Sequence, residues 1–173
     1  PADDRDPVDP VKLADGLQAH LGDRLAVVVN TGDDCRRHGL LVMPDHDTVL
    51  YTLAGLADRE RGWGLAGETW AAAAMLERLG EPAWFRLGDR DLALHVHRTR
   101  RLREGARLTE VNCGIQRALG APTPILPMTD EPVRTRVRTP DGWRGLQEYL
   151  VRERSEPEIE AVKLDGIEAA SPS

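Results

Sequence analysis

Apolar residues along this chain recur with two periods, and stretches of each alternate. Leu13, Ala14, Leu17 and Leu21 fall at helical spacing and predict a short amphipathic helix over 12–21. Residues 24–29 are continuously apolar and β-branched after Arg24, the pattern of a strand buried on both faces. A loop over 30–39 and a short strand over 40–43 follow. Asp47 or Thr48 can then N-cap a helix over 49–56. An alanine-rich helix is predicted over 69–79, stopped by Gly80, and then a strand over 83–87. Helices follow over 92–103 and 109–119, the second stopped by Gly120 and Pro122. Ile125-Leu126 reads as a short strand, and 133–139 as a half-exposed one, with Val and Thr alternating against arginines. A helix over 143–154 and a strand over 161–167 complete the pattern.

Strands alternating with helices imply an α/β chain with a mostly parallel sheet. In such sheets ligands bind outside the carboxyl ends of the strands. Three polar turns, at 30–34, 88–91 and 127–130, each follow a predicted strand and should converge on one rim.

The first of these turns, Asn30-Thr31-Gly32-Asp33-Asp34, carries the densest chemistry. With Asp45 and Asp47 it places four carboxylates within fifteen residues, on two loops at the ends of apolar runs. Hard divalent cations take oxygen ligands, and magnesium uses one or two carboxylates with water and phosphate oxygens. Some of these aspartates can instead cap or turn the chain. His38 lies close by, either hydrogen-bonded in the frame or touching substrate. Trp63 between Gly62 and Gly64 can stack a flat ring or plug a core. Asp89-Arg90-Asp91 can be an internal ion-pair clamp or an arginine that meets phosphate. His95 and His97 fall on different faces of their helix, so no zinc pair is expected. Nucleophile-elbow, CxxC and Walker patterns are absent from the sequence.

Composition narrows the class. The 173 residues are 40% hydrophobic and 30% charged, which suits one globular domain. A net charge of −6, with arginines interleaved among acids, argues against nucleic acid as partner. No apolar run approaches the roughly 20 residues of a membrane span. Two cysteines, Cys35 and Cys113, make no disulfide framework, and a cytoplasmic location is expected.

Several motifs in order then resemble the 2-phospho-L-lactate transferase family. They are Val29-Asn30-Thr31-Gly32-Asp33-Asp34, His38-Gly39-Leu40, and the run from Pro44-Asp45-His46-Asp47-Thr48 to Ala54-Gly55. Gly62-Trp63-Gly64, Trp84-Phe85-Arg86-Leu87-Gly88-Asp89-Arg90-Asp91 and Ile125-Leu126-Pro127-Met128-Thr129-Asp130 complete the set. The resemblance runs over 12–169. It implies a Rossmann-like three-layer α/β fold and a homodimer. It also implies a magnesium-dependent step in making coenzyme F(420). A phospholactyl, phosphoenolpyruvyl or related group passes from a guanosine diphosphate-linked donor to the ribityl hydroxyl of a deazaflavin acceptor, with release of GMP. The metal aspartates carry over to Asp33 and Asp47. Asp34 and Asp45 are then the carboxylates that could orient the hydroxyl. Asn30, Thr31, His38, Trp63, Asp89 and Arg90 are assigned to substrate contact.

The family opens with a strand and a Gly-rich loop where this chain has Asp6-Pro7-Val8-Asp9-Pro10-Val11. Its second half also continues beyond Ser173. The chain therefore reads as truncated at both ends, with an incomplete fold. The expected organisation is an irregular lead over 1–11, a partial transferase-like α/β domain over 12–170 and a tail over 171–173. A non-catalytic deazaflavin or nucleotide-sugar binder, or an inactive remnant, is the competing reading.

Overall fold

A computed structural model describes residues 10–173. The irregular lead expected over 1–11 lies outside the described residues, apart from 10–11, and so does most of the stretch replacing the Gly-rich loop. Helix α1, Pro10–Leu21, begins the described chain.

Strand β1, Val27–Val29, pairs in parallel with β4, Ile125–Pro127, in the register Val27 to Ile125 and Val29 to Pro127. Helix α2, Pro44–Leu53, and helix α5, Leu108–Leu119, pack against this pair. Ala14, Val29, Leu50, Val111, Ile115 and Ile125 belong to the resulting core, in which Leu50 and Ile125 are fully buried. Burying side chains of this size contributes about 1.5–3 kcal/mol each. The pleat sends Val28 the other way, where it is 65% exposed. The strand is therefore covered on one face among the described residues, not on both as its composition suggested.

The remaining strand pairings among the described residues are antiparallel. Strands β2, Cys35–Arg37, and β3, Leu40–Val42, form a hairpin. Its two-residue turn, His38-Gly39, has positive φ at both positions (49° and 74°), as the twist of a tight hairpin requires. Strands β5, Arg134–Thr139, β6, Gly142–Gly145, and β7, Ala161–Asp165, form a sheet in the order β6-β5-β7. The α/β class and the parallel pair thus hold, while most pairings among the described residues are antiparallel.

Several helix boundaries move. Helix α2 starts at Pro44, because proline at the first position is preset for helical φ. Asp47 therefore lies inside the helix, and neither it nor Thr48 is the N-cap. Helix α4, Asp89–Arg103, absorbs the polar turn expected at 88–91. Helix α3 is Ala71–Arg78. The strand expected over 83–87 is irregular; its Trp84 packs edge-on to Phe85 at 5.8 Å. The helix expected over 143–154 is β6 followed by a π-helical turn, Glu148–Arg152. The Pro140-Asp141-Gly142 turn, with Gly142 at φ 109°, reverses the chain and pairs 142–145 back onto β5.

Candidate functional site

The acidic loop leaves β1 at the carboxyl end of the parallel pair, beside the turn that follows β4. Asn30 shapes it: its Oδ1 accepts from Gly32 N at 2.8 Å, and its Nδ2 donates to Asp45 Oδ2 at 3.0 Å. Gly32 lets β5 approach. Thr135 N donates to Gly32 O at 2.7 Å, and a Cβ on Gly32 would stand 2.8 Å from Thr135 Oγ1. The loop therefore turns Asp33 and Asp34 inward, where each is 4% exposed.

Asp33 Oδ2 accepts from Asp45 N at 3.1 Å and from Gln147 Nε2 at 3.2 Å. Its Oδ1, both carboxyl oxygens of Asp34 and the hydroxyl of fully buried Thr31 have no hydrogen-bond partner among the described residues. Arg134 Nη1 lies 3.5 Å from Asp34 Oδ2. Burial, reinforced by the charge of Asp45, pushes the Asp33 carboxyl up to about 7. Burial pushes Asp34 up to about 8 against the pull of Arg134. Two adjacent buried carboxyls with unsatisfied oxygens fit a hard cation, which would replace the missing partners and favour their ionised form.

Asp47 sits differently. Arg98, fully buried on α4, donates Nη1 to Asp47 Oδ2 at 2.9 Å and Nη2 to Oδ1. Arg98 Nε donates to Asn112 Oδ1 at 3.0 Å. Burial alone would raise the Asp47 carboxyl, but the Arg98 guanidinium, with His46 and His95, holds it well below the usual carboxylate range. Both Asp47 oxygens are thus engaged, whereas Asp33 Oδ1 and both oxygens of Asp34 have no hydrogen-bond partner among the described residues.

Beside Asp47 lies a pair that pattern reading missed. Tyr51 donates its hydroxyl to Asp91 Oδ1 at 2.5 Å, and His95 Nε2 lies 3.2 Å from the same oxygen. Asp47, Asp91 and His95 each offer a ligand atom within 4.8 Å of one another, but Arg98 already lies against the Asp47 carboxylate. The i, i+4 spacing of Asp91 and His95 was legible; their burial together was not.

Tyr51, Asp91 and His95 line one side of a cavity of about 380 Å³. Trp63, Trp84 and Phe85 give it aromatic walls, and Gln147 joins it to the acidic loop. Trp63 is 43% exposed there and meets Trp70 edge-on at 5.9 Å, with Arg61 5.1 Å from its ring centroid. It is a wall residue rather than a core plug.

Of the other expected residues, Asn30, Thr31 and Asp45 gather with the acids. His38 sits in the hairpin turn, 3.5 Å from Glu81. Asp89 caps α3, accepting from Thr69 Oγ1 at 2.6 Å, Ala71 N at 3.0 Å and Ala72 N at 2.9 Å. Arg90 donates to Ala66 O at 2.8 Å. Asp89 and Arg90 are thus engaged in the frame around α3 and α4.

Comparison with known proteins bears on this geometry. The family described as 2-phospho-L-lactate transferase CofD matches residues 10–173. A 2-phospho-L-lactate transferase of Methanosarcina mazei is 39% identical over 161 residues, covering 92% of this chain and 53% of that protein. A phosphoenolpyruvate transferase of Kitasatospora aureofaciens is 42% identical over 165 residues, 91% of this chain and 51% of that protein. The chain spans about half the length of the curated relatives it matches. The crystal structure of a UPF0052 family member from Bacillus halodurans superposes with a TM-score of 0.52 at 14% identity, over 94% of this chain and 49% of that one. That likeness is one of fold.

Proposed function

The chain belongs to the 2-phospho-L-lactate transferase CofD family, and from that premise we propose that it serves phospholactyl or phosphoenolpyruvyl transfer in coenzyme F(420) biosynthesis. The proposed reaction takes the group from a guanosine diphosphate-linked donor to the ribityl hydroxyl of a deazaflavin and releases GMP. A homodimer in the cytoplasm is part of the same reading.

The observation that carries it is the set of unpartnered buried oxygens on Asp33 and Asp34, next to a cavity with aromatic walls. Magnesium, when bound, would neutralise charge on the phosphoanhydride oxygens and orient the displacement. Asp33 is the first proposed ligand. Asp34 is preferred to Asp47 as the second, since Arg98 holds both Asp47 oxygens.

The protein's own groups supply the positioning. Trp63, Trp84 and Phe85 offer ring faces to a flat heterocycle. Asp45 is exposed in the first turn of α2 and fixed by Asn30, so its carboxylate can orient an acceptor hydroxyl. Gln147 ties the cavity wall to Asp33 at 3.2 Å.

Incubation of the folded chain with magnesium, donor and deazaflavin should release GMP, followed by chromatography. Asp33→Asn should abolish that release while far-UV dichroism stays unchanged. Undiminished release in Asp33→Asn would remove Asp33 from the site. Deazaflavin binding without GMP would make the chain a non-catalytic binder.

A further inference from the structure

On the far side of Gln147 and Trp84 from the aromatic cavity lies a second, polar cavity of about 630 Å³. Five arginines line it: Arg36 and Arg37 from β2, Arg134 and Arg136 from β5, and Arg152 after β6. The two-residue period of a strand puts Arg134 and Arg136 on one face of β5. Asp34 of the acidic loop also lines the cavity.

The local charge is not balanced. Arg152 is matched by Glu148 at 2.8 Å, and Arg134 reaches Asp34 at 3.5 Å. Arg36, Arg37 and Arg136 have no carboxylate partner among the described residues. Arg36 reaches only a carbonyl, Gly39 O, at 3.4 Å. Arg37 donates to Pro82 O at 3.2 Å and stacks its guanidinium 4.3 Å from the Trp84 ring centroid. Arg136 Nε is buried and unpartnered. The chain carries 29 acidic residues and a net charge of −6, so acids to neutralise these arginines are plentiful elsewhere. Their convergence unpaired on one polar cavity marks a place for an external anion.

We propose that this arginine-lined cavity binds the carboxylate-bearing three-carbon end of the donor. The inference rests on the transferase reading and deepens it. Guanidinium forks match carboxylates bidentately, which suits a small carboxylic acid. The placement is consistent with transfer, because the two cavities share Gln147 and Trp84 as a wall and both adjoin the acidic loop. An acceptor ring on the aromatic side and an acid on the arginine side would meet at Asp33 and Asp34.

Calorimetry on the folded chain with phosphoenolpyruvate, and separately with GDP, distinguishes the acid end from the diphosphate as the source of the anion. Arg136→Gln should weaken phosphoenolpyruvate binding about tenfold or more and leave GDP binding unchanged. Arg136→Lys should restore part of the loss. Unchanged phosphoenolpyruvate binding in Arg136→Gln, no binding by the parent chain, or an equal loss for GDP overturns the proposal. The two readings fail separately. Arginine-dependent phosphoenolpyruvate binding without GMP release would sink the transferase reading and keep this site. GMP release with an unaltered donor KM in Arg136→Gln would do the reverse.

Discussion

Asp33, Asp34 and Asp47 are equally buried acids whose surroundings drive them in opposite directions. Asp33 and Asp34 have folded values raised to about 7 and about 8 from 3.8, so without metal the folded state holds protons that the unfolded chain has lost. Their contribution to stability is therefore full below pH 3.8 and lost as pH rises to about 8. Urea midpoints measured in chelator should fall between pH 5 and pH 8 from this source. Asp34→Asn should flatten the fall, and magnesium should oppose it. Asp47 has the other sign: its folded value lies below 3.8, so its contribution is present above that pH and lost below it. Its partner Arg98 is the costlier residue to remove. Arg98→Met leaves a buried carboxylate unpaired and should cost about 3–5 kcal/mol in chemical denaturation. Adding Asp47→Leu to Arg98→Met should recover much of the loss, because no stranded charge remains.

Among the elements, helix termini hold the site's frame. Asp89 begins α4 yet caps α3, and Glu68 in turn accepts from Arg90 N at 3.0 Å and Asp91 N at 2.8 Å. This reciprocal arrangement fixes where Asp91 points, and through Asp91 the position of Tyr51 and His95. Asp89→Ala should lower the thermal midpoint, because the first N–H groups of α3 lose their acceptor. If Asp89 belongs to the frame, donor KM in the same variant will not move. The loop between β1 and β2 depends on a glycine for a different reason. Gly32→Ala would set a methyl group 2.8 Å from Thr135 Oγ1 and 3.0 Å from Asn30 Oδ1, so the side chains that shape the loop must shift. We expect weaker magnesium binding by calorimetry in that variant, since Asp33 and Asp34 follow Gly32 directly.

For the molecule as a whole, the acidic loop stands between two cavities of unlike chemistry, one aromatic and one rich in arginine. Of the four tryptophans, Trp63 and Trp84 line the aromatic cavity, whereas Trp143 does not. Titration with a deazaflavin should quench part of the tryptophan emission. Trp84→Leu should reduce that quenching and Trp143→Leu should leave it intact. No helix among the described residues is long and apolar enough to cross a membrane.

Local chemistry made part of this legible from the sequence. Continuous Val27-Val28-Val29 and the short Ile125-Leu126 run identified the strands that pair in parallel, and Gly120 marked the end of α5 at φ 73°. Clustered aspartates after an apolar strand located the loop, because few other arrangements place so many acids beside a buried element. What the tertiary structure decided was which acids are free. Asp33 and Asp47 are the same residue type, equally buried, one in the loop after β1 and one inside α2. Only packing set Arg98, 51 positions away, against one of them, and left the oxygens of the other's neighbour Asp34 bare. The arginine cavity was equally invisible in order of sequence, since β2 and β5 are separated by nearly a hundred residues and meet only through the fold. A sequence pattern reports periodicity and local caps. Pairing between distant charges is set by long-range packing, which no local pattern encodes.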